Sequence, residues 1–154
     1  MAAESDRAAP AAQPYLSGFS AFVLMQKPGY DLYALARLGD PGLSEDAVRL
    51  ALRRTAGQWG GVLLQRRPVA CAWRTLREVV SVACLHAPNP TADRLNQLLP
   101  AGLADVELLH RLGLSVAQSA RLMGRETAET AADLLMARRR LAVADPKENP
   151  IQDR

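Results

Sequence analysis

Apolar residues recur every three or four positions through most of the chain, which is the spacing of helices with one buried face. Glycine and proline interrupt this pattern most clearly at 39–42 (Gly-Asp-Pro-Gly) and at 86–93, where two prolines lie close together. The pattern predicts helices over 15–26, 30–38, 43–59 and 68–85 before the second interruption. It predicts three or four more over 94–143 after it.

Spacing within these segments also predicts which residues face the core. Ser44 is expected to be the N-cap of the third helix, with Glu45 and Asp46 in its first turn, where carboxylates suit the helix dipole. Pro68 is expected to open the fourth helix. The predicted shared face of the second helix is Leu32, Leu35, Ala36 and Leu38, and the inward residues of the third and fourth are Val48, Ala51, Leu52 and Thr55, then Val69, Trp73, Leu76, Val79, Val80 and Ala83.

Composition favours an all-α protein, because Ala, Leu and Arg are abundant and aromatic residues make up only 5% of the chain. The interruption at 86–93 divides it into two small helical blocks. The expected division is a disordered leader (1–14), a four-helix N-terminal block (15–86), a linker (87–93), a C-terminal block (94–143) and a disordered tail (144–154). The residues from His86 to Asp93 reach at most about 28 Å when extended. We therefore expect the two blocks to pack together.

The net charge of +3 is too small to indicate nucleic-acid binding, which depends on where Lys and Arg lie against phosphates. The charges are unevenly distributed, however. No acidic residue lies between Asp46 and Glu78, a stretch that contains Arg49, Arg53, Arg54, Arg66, Arg67, Arg74 and Arg77. This stretch is either a docking surface or a solvated helix face without a partner.

Residues for metal, cofactor or catalytic chemistry are few. Cys71 and Cys84 lack a CxxC spacing, and His86 and His110 are the only histidines, so we expect reduced, buried thiols and no zinc site. The sequence has no Gly-rich phosphate loop, HExxH motif or nucleophile elbow, which argues against an enzyme and a cofactor. It has no signal-peptide pattern and no apolar run as long as a membrane span, so we expect a cytoplasmic protein without membrane contact.

The stretch 114–135 has the pattern of a helix-turn-helix. This motif needs a small residue where the helices cross and a residue that tolerates positive φ four positions later, and Ala120 and Gly124 supply this pair. Ser115 and Gln118 form a capping box for the first helix, and Thr127 is the expected N-cap of the second. An ordinary antiparallel helix pair with a glycine C-cap is the alternative interpretation.

The C-terminal block resembles region 4 of the extracytoplasmic-function sigma factors of bacterial RNA polymerase. The similar features are Leu99 and Pro100 followed by a helix, the run LSVAQSARLMG from Leu114, and the run MARRRL from Met136. The N-terminal block is similar to region 2 of that family. There, Glu45 and Asp46 occupy its two acidic positions, and Trp59, Pro68 and Trp73 resemble its later tryptophans and proline. Together the resemblance covers roughly residues 16–142.

The resemblance implies that the helix over 38–54 binds the RNA polymerase core and that the C-terminal block binds promoter DNA. An anti-sigma factor or another regulator protein is a further implied partner. The implied polymerase-binding residues are Leu38, Glu45, Asp46, Arg49 and Arg53, and the implied DNA-binding residues are Arg121, Arg125, Thr127, Glu129, Ala132, Arg138, Arg139 and Arg140.

The outward positions of the predicted recognition helix depart from a base-reading surface. They are Ala128, Glu129, Ala132 and Asp133, so two carry no side-chain donor or acceptor and two are anionic beside a polyanion. Two functions therefore remain open. One is a sigma-like regulator that binds polymerase and promoter DNA, and the other is a sigma-derived adapter that binds polymerase or another regulator without reading DNA.

Overall fold

The computed structural model describes residues 9–88 and 90–144, and this part of the chain contains helices and no strand. The prediction of an all-α protein is therefore confirmed, while the expected disorder of residues 1–8 and 145–154 lies outside the described residues. The helices are α1 (Ala9–Leu38), α2 (Pro41–Gly57), α3 (Trp59–Leu63), α4 (Pro68–Cys84), a 3-10 helix (Pro90–Asp93), α5 (Arg94–Leu98), α6 (Ala101–Arg111), α7 (Val116–Met123) and α8 (Thr127–Ala144).

Helix α1 is continuous where the sequence predicted two helices. It begins at Ala9, inside the expected leader, and passes through Pro28 and Gly29 without a break. Gly29 lies inside the helix, where it allows α7 to pack closely against α1. A Cβ at this position would lie 2.6 Å from a methyl carbon of Leu122, so the absence of a side chain lets α7 approach α1.

The buried face of α1 also differs from the predicted one. Tyr33 and Leu38 are fully buried, whereas Leu32 and Leu35 are exposed. The aromatic rings set this orientation, because Tyr33 packs on Trp73 of α4 with ring centroids 4.6 Å apart. Burying two large rings against each other outweighs burying two leucines.

Helix α2 begins earlier than predicted. Gly39, with φ of 67°, ends α1, and the Asp40 carboxylate then accepts a hydrogen bond from the Leu43 amide at 2.8 Å. Asp40 is therefore the N-cap and Pro41 the first helical residue. The assignment of Ser44 as N-cap was wrong, because Ser44 lies inside the helix and its hydroxyl donates to the Pro41 carbonyl at 3.0 Å. Residues 45 and 46 consequently lie in the second turn, farther from the dipole end.

One core runs through both blocks. It contains side chains of α1 and α4, such as Tyr33, Leu76 and Val80, packed with Leu109 of α6 and Met123 of α7. The expectation that the two blocks pack together is confirmed. Pro68 opens α4 as predicted, and the inward positions predicted for α2 and α4 are all buried or half-buried. A smaller cluster joins α5, α6 and α8 through Leu95, Leu99, Leu103, Ala104, Ala137 and Leu141.

Candidate interaction surfaces

The two helices and the glycine turn predicted over 114–135 are present as α7 and α8. The Ser115 hydroxyl accepts from the Gln118 amide at 3.1 Å, and the Gln118 side chain accepts from the Ser115 amide at 2.8 Å, which completes the capping box. Gly124 ends α7 with φ of 68°, and Ala120 is buried. The one local correction concerns Thr127, which is the first residue of α8 and leaves Glu126 in the N-cap position.

The turn between α7 and α8 rests directly on α4. A Cβ at Gly124 would lie 2.2 Å from the backbone nitrogen of Ala70, so no side chain fits between the turn and the first turn of α4. This contact fixes the start of α8 beside the start of α4. It also brings Arg67, which precedes α4, to 3.4 Å from the Glu129 carboxylate on α8.

The start of α8 is exposed but offers no free positive group for DNA. Ala128, Glu129 and Ala132 face solvent. Arg125 forms an ion pair with Asp133, and a nitrogen of its guanidinium lies 3.8 Å from Glu129. The Arg125 guanidinium, which the sequence assigned to DNA, is therefore already bound to carboxylates of its own motif. Two alanines and two neutralised carboxylates remain on the surface that would enter a major groove.

The other arginines assigned to DNA are distributed differently. Arg121, Arg139 and Arg140 are exposed, and none of them has an ion pair or hydrogen bond to another part of the described chain. Arg138 lies 3.6 Å from Glu107, which is almost fully buried on α6. Three free guanidinium groups suffice for contact with phosphates but do not by themselves distinguish bases.

The implied polymerase-binding residues separate into one buried and four exposed positions. Leu38 is fully buried in the core and is not available to a partner, because it faces inward with the rest of the aromatic face of α1. Glu45, Asp46, Arg49 and Arg53 lie on the exposed side of α2. Of these, Arg49 and Asp46 form an exposed ion pair of 3.5 Å, a kind of contact that stabilises very little.

A groove of about 340 Å³ runs between α1 and α2, and we call it the α1–α2 groove. Its apolar lining comes from both helices, and three of the implied polymerase-binding residues, Glu45, Arg49 and Arg53, contribute to its charged lining. The remaining lining residues are Phe19, Val23, Lys27, Asp31, Val48, Leu52 and Ala56. Apolar side chains together with charges of both signs suit an amphipathic helix of another protein better than a nucleic acid.

Sequence reasoning missed a buried polar cluster that joins the two blocks. Asp105 of α6 is fully buried and accepts hydrogen bonds from the Tyr33 hydroxyl at 2.7 Å, the Trp73 indole nitrogen at 3.1 Å and the Arg77 Nε at 2.8 Å. Burial raises the pKa of Asp105 above its ordinary value. An acid within the apolar run of α6 was the available signal, since such a group requires partners when it is buried.

A second, partly buried ion pair holds the linker. Arg37 of α1 binds Asp93 through two parallel hydrogen bonds of 2.8 and 2.9 Å, and it also donates to the Ser81 hydroxyl at 2.9 Å and to the Tyr33 hydroxyl at 3.1 Å. Tyr33 thereby connects this pair with Asp105. The buried Asp105 and the half-buried Asp93 thus fix α6 and the linker against α1 and α4.

No family model, curated protein or solved structure matches the chain.

Within residues 9–88 and 90–144, no cluster of His, Cys, Asp and Glu is suited to hold a metal ion. No helix in the same ranges has the length and apolar character needed to cross a bilayer. Both cysteines are free, half-buried thiols, and burial raises the pKa of Cys84 to about 11.

Proposed function

We propose that the protein is a sigma-like adapter that docks on the RNA polymerase core through the α1–α2 groove and does not read promoter bases. The observation that carries the proposal is the groove itself, in which Glu45, Arg49 and Arg53 surround an apolar lining. These three residues were assigned to polymerase from the resemblance alone. Protein interfaces combine an apolar centre with a polar edge in this way.

The surface of α8 supports the second half of the proposal. A recognition helix discriminates bases with free donors and acceptors on its first two turns. Here those turns expose Ala128 and Ala132, Arg125 holds the carboxylates of Glu129 and Asp133, and the exposed Thr127 adds a single hydroxyl. Any contact of this helix with DNA is therefore expected to involve the phosphate backbone without sequence preference.

The test is capture of purified RNA polymerase core by the tagged full chain. We expect the unaltered chain to retain core polymerase. The variant Arg49→Glu/Arg53→Glu is expected to lose it, because the charges of both groove arginines are reversed. The matched control is Arg139→Glu/Arg140→Glu, which reverses two equally exposed arginines on α8 and is expected to leave capture unchanged. Failure of the unaltered chain to bind core polymerase, or equal loss in both variants, refutes groove docking.

A promoter-reading sigma factor is the second candidate. It is favoured by the exposed α8 of the helix-turn-helix and by the unpaired Arg121, Arg139 and Arg140. Selection from random duplex DNA separates the two candidates. If the protein is an adapter, no sequence is enriched. Any binding to DNA is then expected to weaken steeply as the salt concentration rises, and to be abolished when Arg138, Arg139 and Arg140 are replaced by Glu. Enrichment of one sequence would establish the promoter-reading function instead.

A further inference from the structure

The outward side of α1 is apolar and uncovered. Six residues lie on this side of the helix by their 3.6-residue spacing, and we call them the α1 apolar face. Leu24 is 80% exposed, Met25 79%, Leu32 46% and Leu35 42%. The two other members are Ala21 and Pro28, both exposed. The largest apolar patch of a monomeric protein is usually about 300–600 Å² and often binds something, and the α1 apolar face is of this size.

We propose that the α1 apolar face pairs two copies of this chain in antiparallel orientation. The face has nearly the same order of residues in both directions from Pro28, with a leucine four positions away on each side, at Leu24 and Leu32. A two-fold axis beside Pro28 therefore places Leu24 of one copy on Leu32 of the other. The same axis places Ala21 opposite Leu35, so that a small side chain meets a large one. An interface of this type uses the same surface on both copies.

Charge at the edge of the face selects the antiparallel orientation. Lys27 and Asp31 form an ion pair of 2.7 Å along one edge, and the face itself carries no charge. A two-fold axis perpendicular to the helices brings this edge against the same edge of the second copy in reverse order. Lys27 of one copy then approaches Asp31 of the other. In a parallel pair this edge would instead face the opposite edge of the second copy, formed by Met25, Gly29 and Ala36, so neither Lys27 nor Asp31 would gain a charged partner there.

The available area sets the expected strength. The exposed parts of the four large side chains amount to about 450 Å² per copy, so a pair buries at most about 900 Å², which is below the roughly 1,200 Å² of a stable interface and in the range of weak, transient contacts. The dimer is therefore expected to be weak, with a dissociation constant in roughly the micromolar range. Because the α1–α2 groove contains Lys27 and Asp31, the dimer interface would adjoin the groove, but the pairing does not depend on what the groove binds.

The first experiment measures mass by sedimentation over a wide range of protein concentration. The unaltered chain is expected to change from its monomer mass of 16.7 kDa to twice that value. Leu24→Glu and Leu32→Glu are each expected to weaken association at least tenfold. The matched control is Leu135→Glu, which places the same charge at an exposed leucine of α8 and is expected to leave association unchanged. A monomer at every concentration, or equal weakening by the control, overturns the proposal.

A second experiment tests the orientation by disulfide trapping in a background where both native cysteines are replaced by serine. Pro28→Cys is expected to cross-link with itself, because the two-fold axis passes beside that residue. Leu24→Cys is expected to cross-link with Leu32→Cys in a mixture of the two variants and to remain uncross-linked when alone. Efficient cross-linking of Leu24→Cys with itself would show a parallel pair and overturn the antiparallel arrangement.

Discussion

Replacing Asp105 with alanine removes the acceptor at the centre of the buried cluster. The carboxylate is fully buried and serves Tyr33, Trp73 and Arg77, which come from two helices of the other block. The indole N–H of Trp73 and the hydroxyl proton of Tyr33 would lose their acceptor inside the core. Arg77 would lose a partner too, but its side chain is 30% exposed and can turn to water.

The cost follows from these three losses. A buried donor without an acceptor costs about 1–3 kcal/mol, and Trp73 and Tyr33 each leave one. The loss at Arg77 adds little because solvent screens it. A cavity the size of a carboxylate contributes as well. We therefore expect Asp105→Ala to lower the free energy of unfolding by about 3–5 kcal/mol, the range for breaking a buried charged pair.

Urea unfolding followed by circular dichroism and by tryptophan fluorescence measures this loss. The matched control is Asp133→Ala, which also removes a carboxylate bound to an arginine but lies where its side chain is 24% exposed. We expect the control to cost less than about 1 kcal/mol. Tyr33→Phe, which removes one of the three donors, should fall between the two, at about 1–1.5 kcal/mol. Equal losses for Asp105→Ala and Asp133→Ala would refute the reasoning.

Three further predictions concern single positions. Gly124→Ala should lower the free energy of unfolding in urea by more than about 2 kcal/mol, because its Cβ would meet the backbone of Ala70. Gly113→Ala is the control: it has φ of 93° in open space and should cost only the backbone strain of about 1 kcal/mol. Equal costs would contradict the contact. Burial raises the pKa of Asp105, so at pH values between the ordinary Asp pKa and the folded one the folded state binds more protons than the unfolded chain. The stability advantage over Asp105→Asn should therefore shrink as the pH rises from the ordinary Asp pKa through the folded one, and an advantage that grows with pH would contradict this. In a variant lacking Cys71, Cys84 should react with iodoacetamide at neutral pH more slowly in the folded protein than in the protein unfolded by urea. The reason is that its folded pKa of about 11 leaves little thiolate. Equal rates would contradict the burial of the thiol.

Features that depend on neighbouring residues could be predicted from the sequence. The capping box of Ser115 and Gln118, the left-handed Gly124 and the opening of α4 at Pro68 each arise from interactions within a few positions. The start of α2 is a local feature that was misassigned, because Asp40 and Ser44 are both good N-cap residues. The choice between them depends on Pro41, which suits the first helical position, and on the burial of Ser44.

Features that depend on distant residues could not be predicted in the same way. A proline followed by a glycine indicates a turn, yet Pro28 and Gly29 lie inside α1, and Leu122 of α7, a distant residue in sequence, occupies the space beside Gly29. The partners of Asp105 lie 28 to 72 residues earlier in the chain, and spacing does not identify them. The α1–α2 groove likewise depends on how α1 turns its aromatic side inward.

The seven arginines between Asp46 and Glu78 have different surroundings in the fold. Three of them already have carboxylate partners: Arg77 binds buried Asp105, Arg67 approaches Glu129, and Arg49 pairs with Asp46. The first of these pairs holds the two blocks together, so its charge is not available to a phosphate. Arg53, Arg54, Arg66 and Arg74 remain exposed without an ion pair to the rest of residues 9–88 and 90–144, and only Arg53 lines the α1–α2 groove. The fold thus separates the arginine cluster: Arg77 holds the two blocks together, Arg49 and Arg53 line the α1–α2 groove, and Arg54, Arg66 and Arg74 are exposed outside it. Because Arg49 and Arg53 adjoin apolar side chains of α1 and α2, the proposed docking at this groove predicts a protein partner.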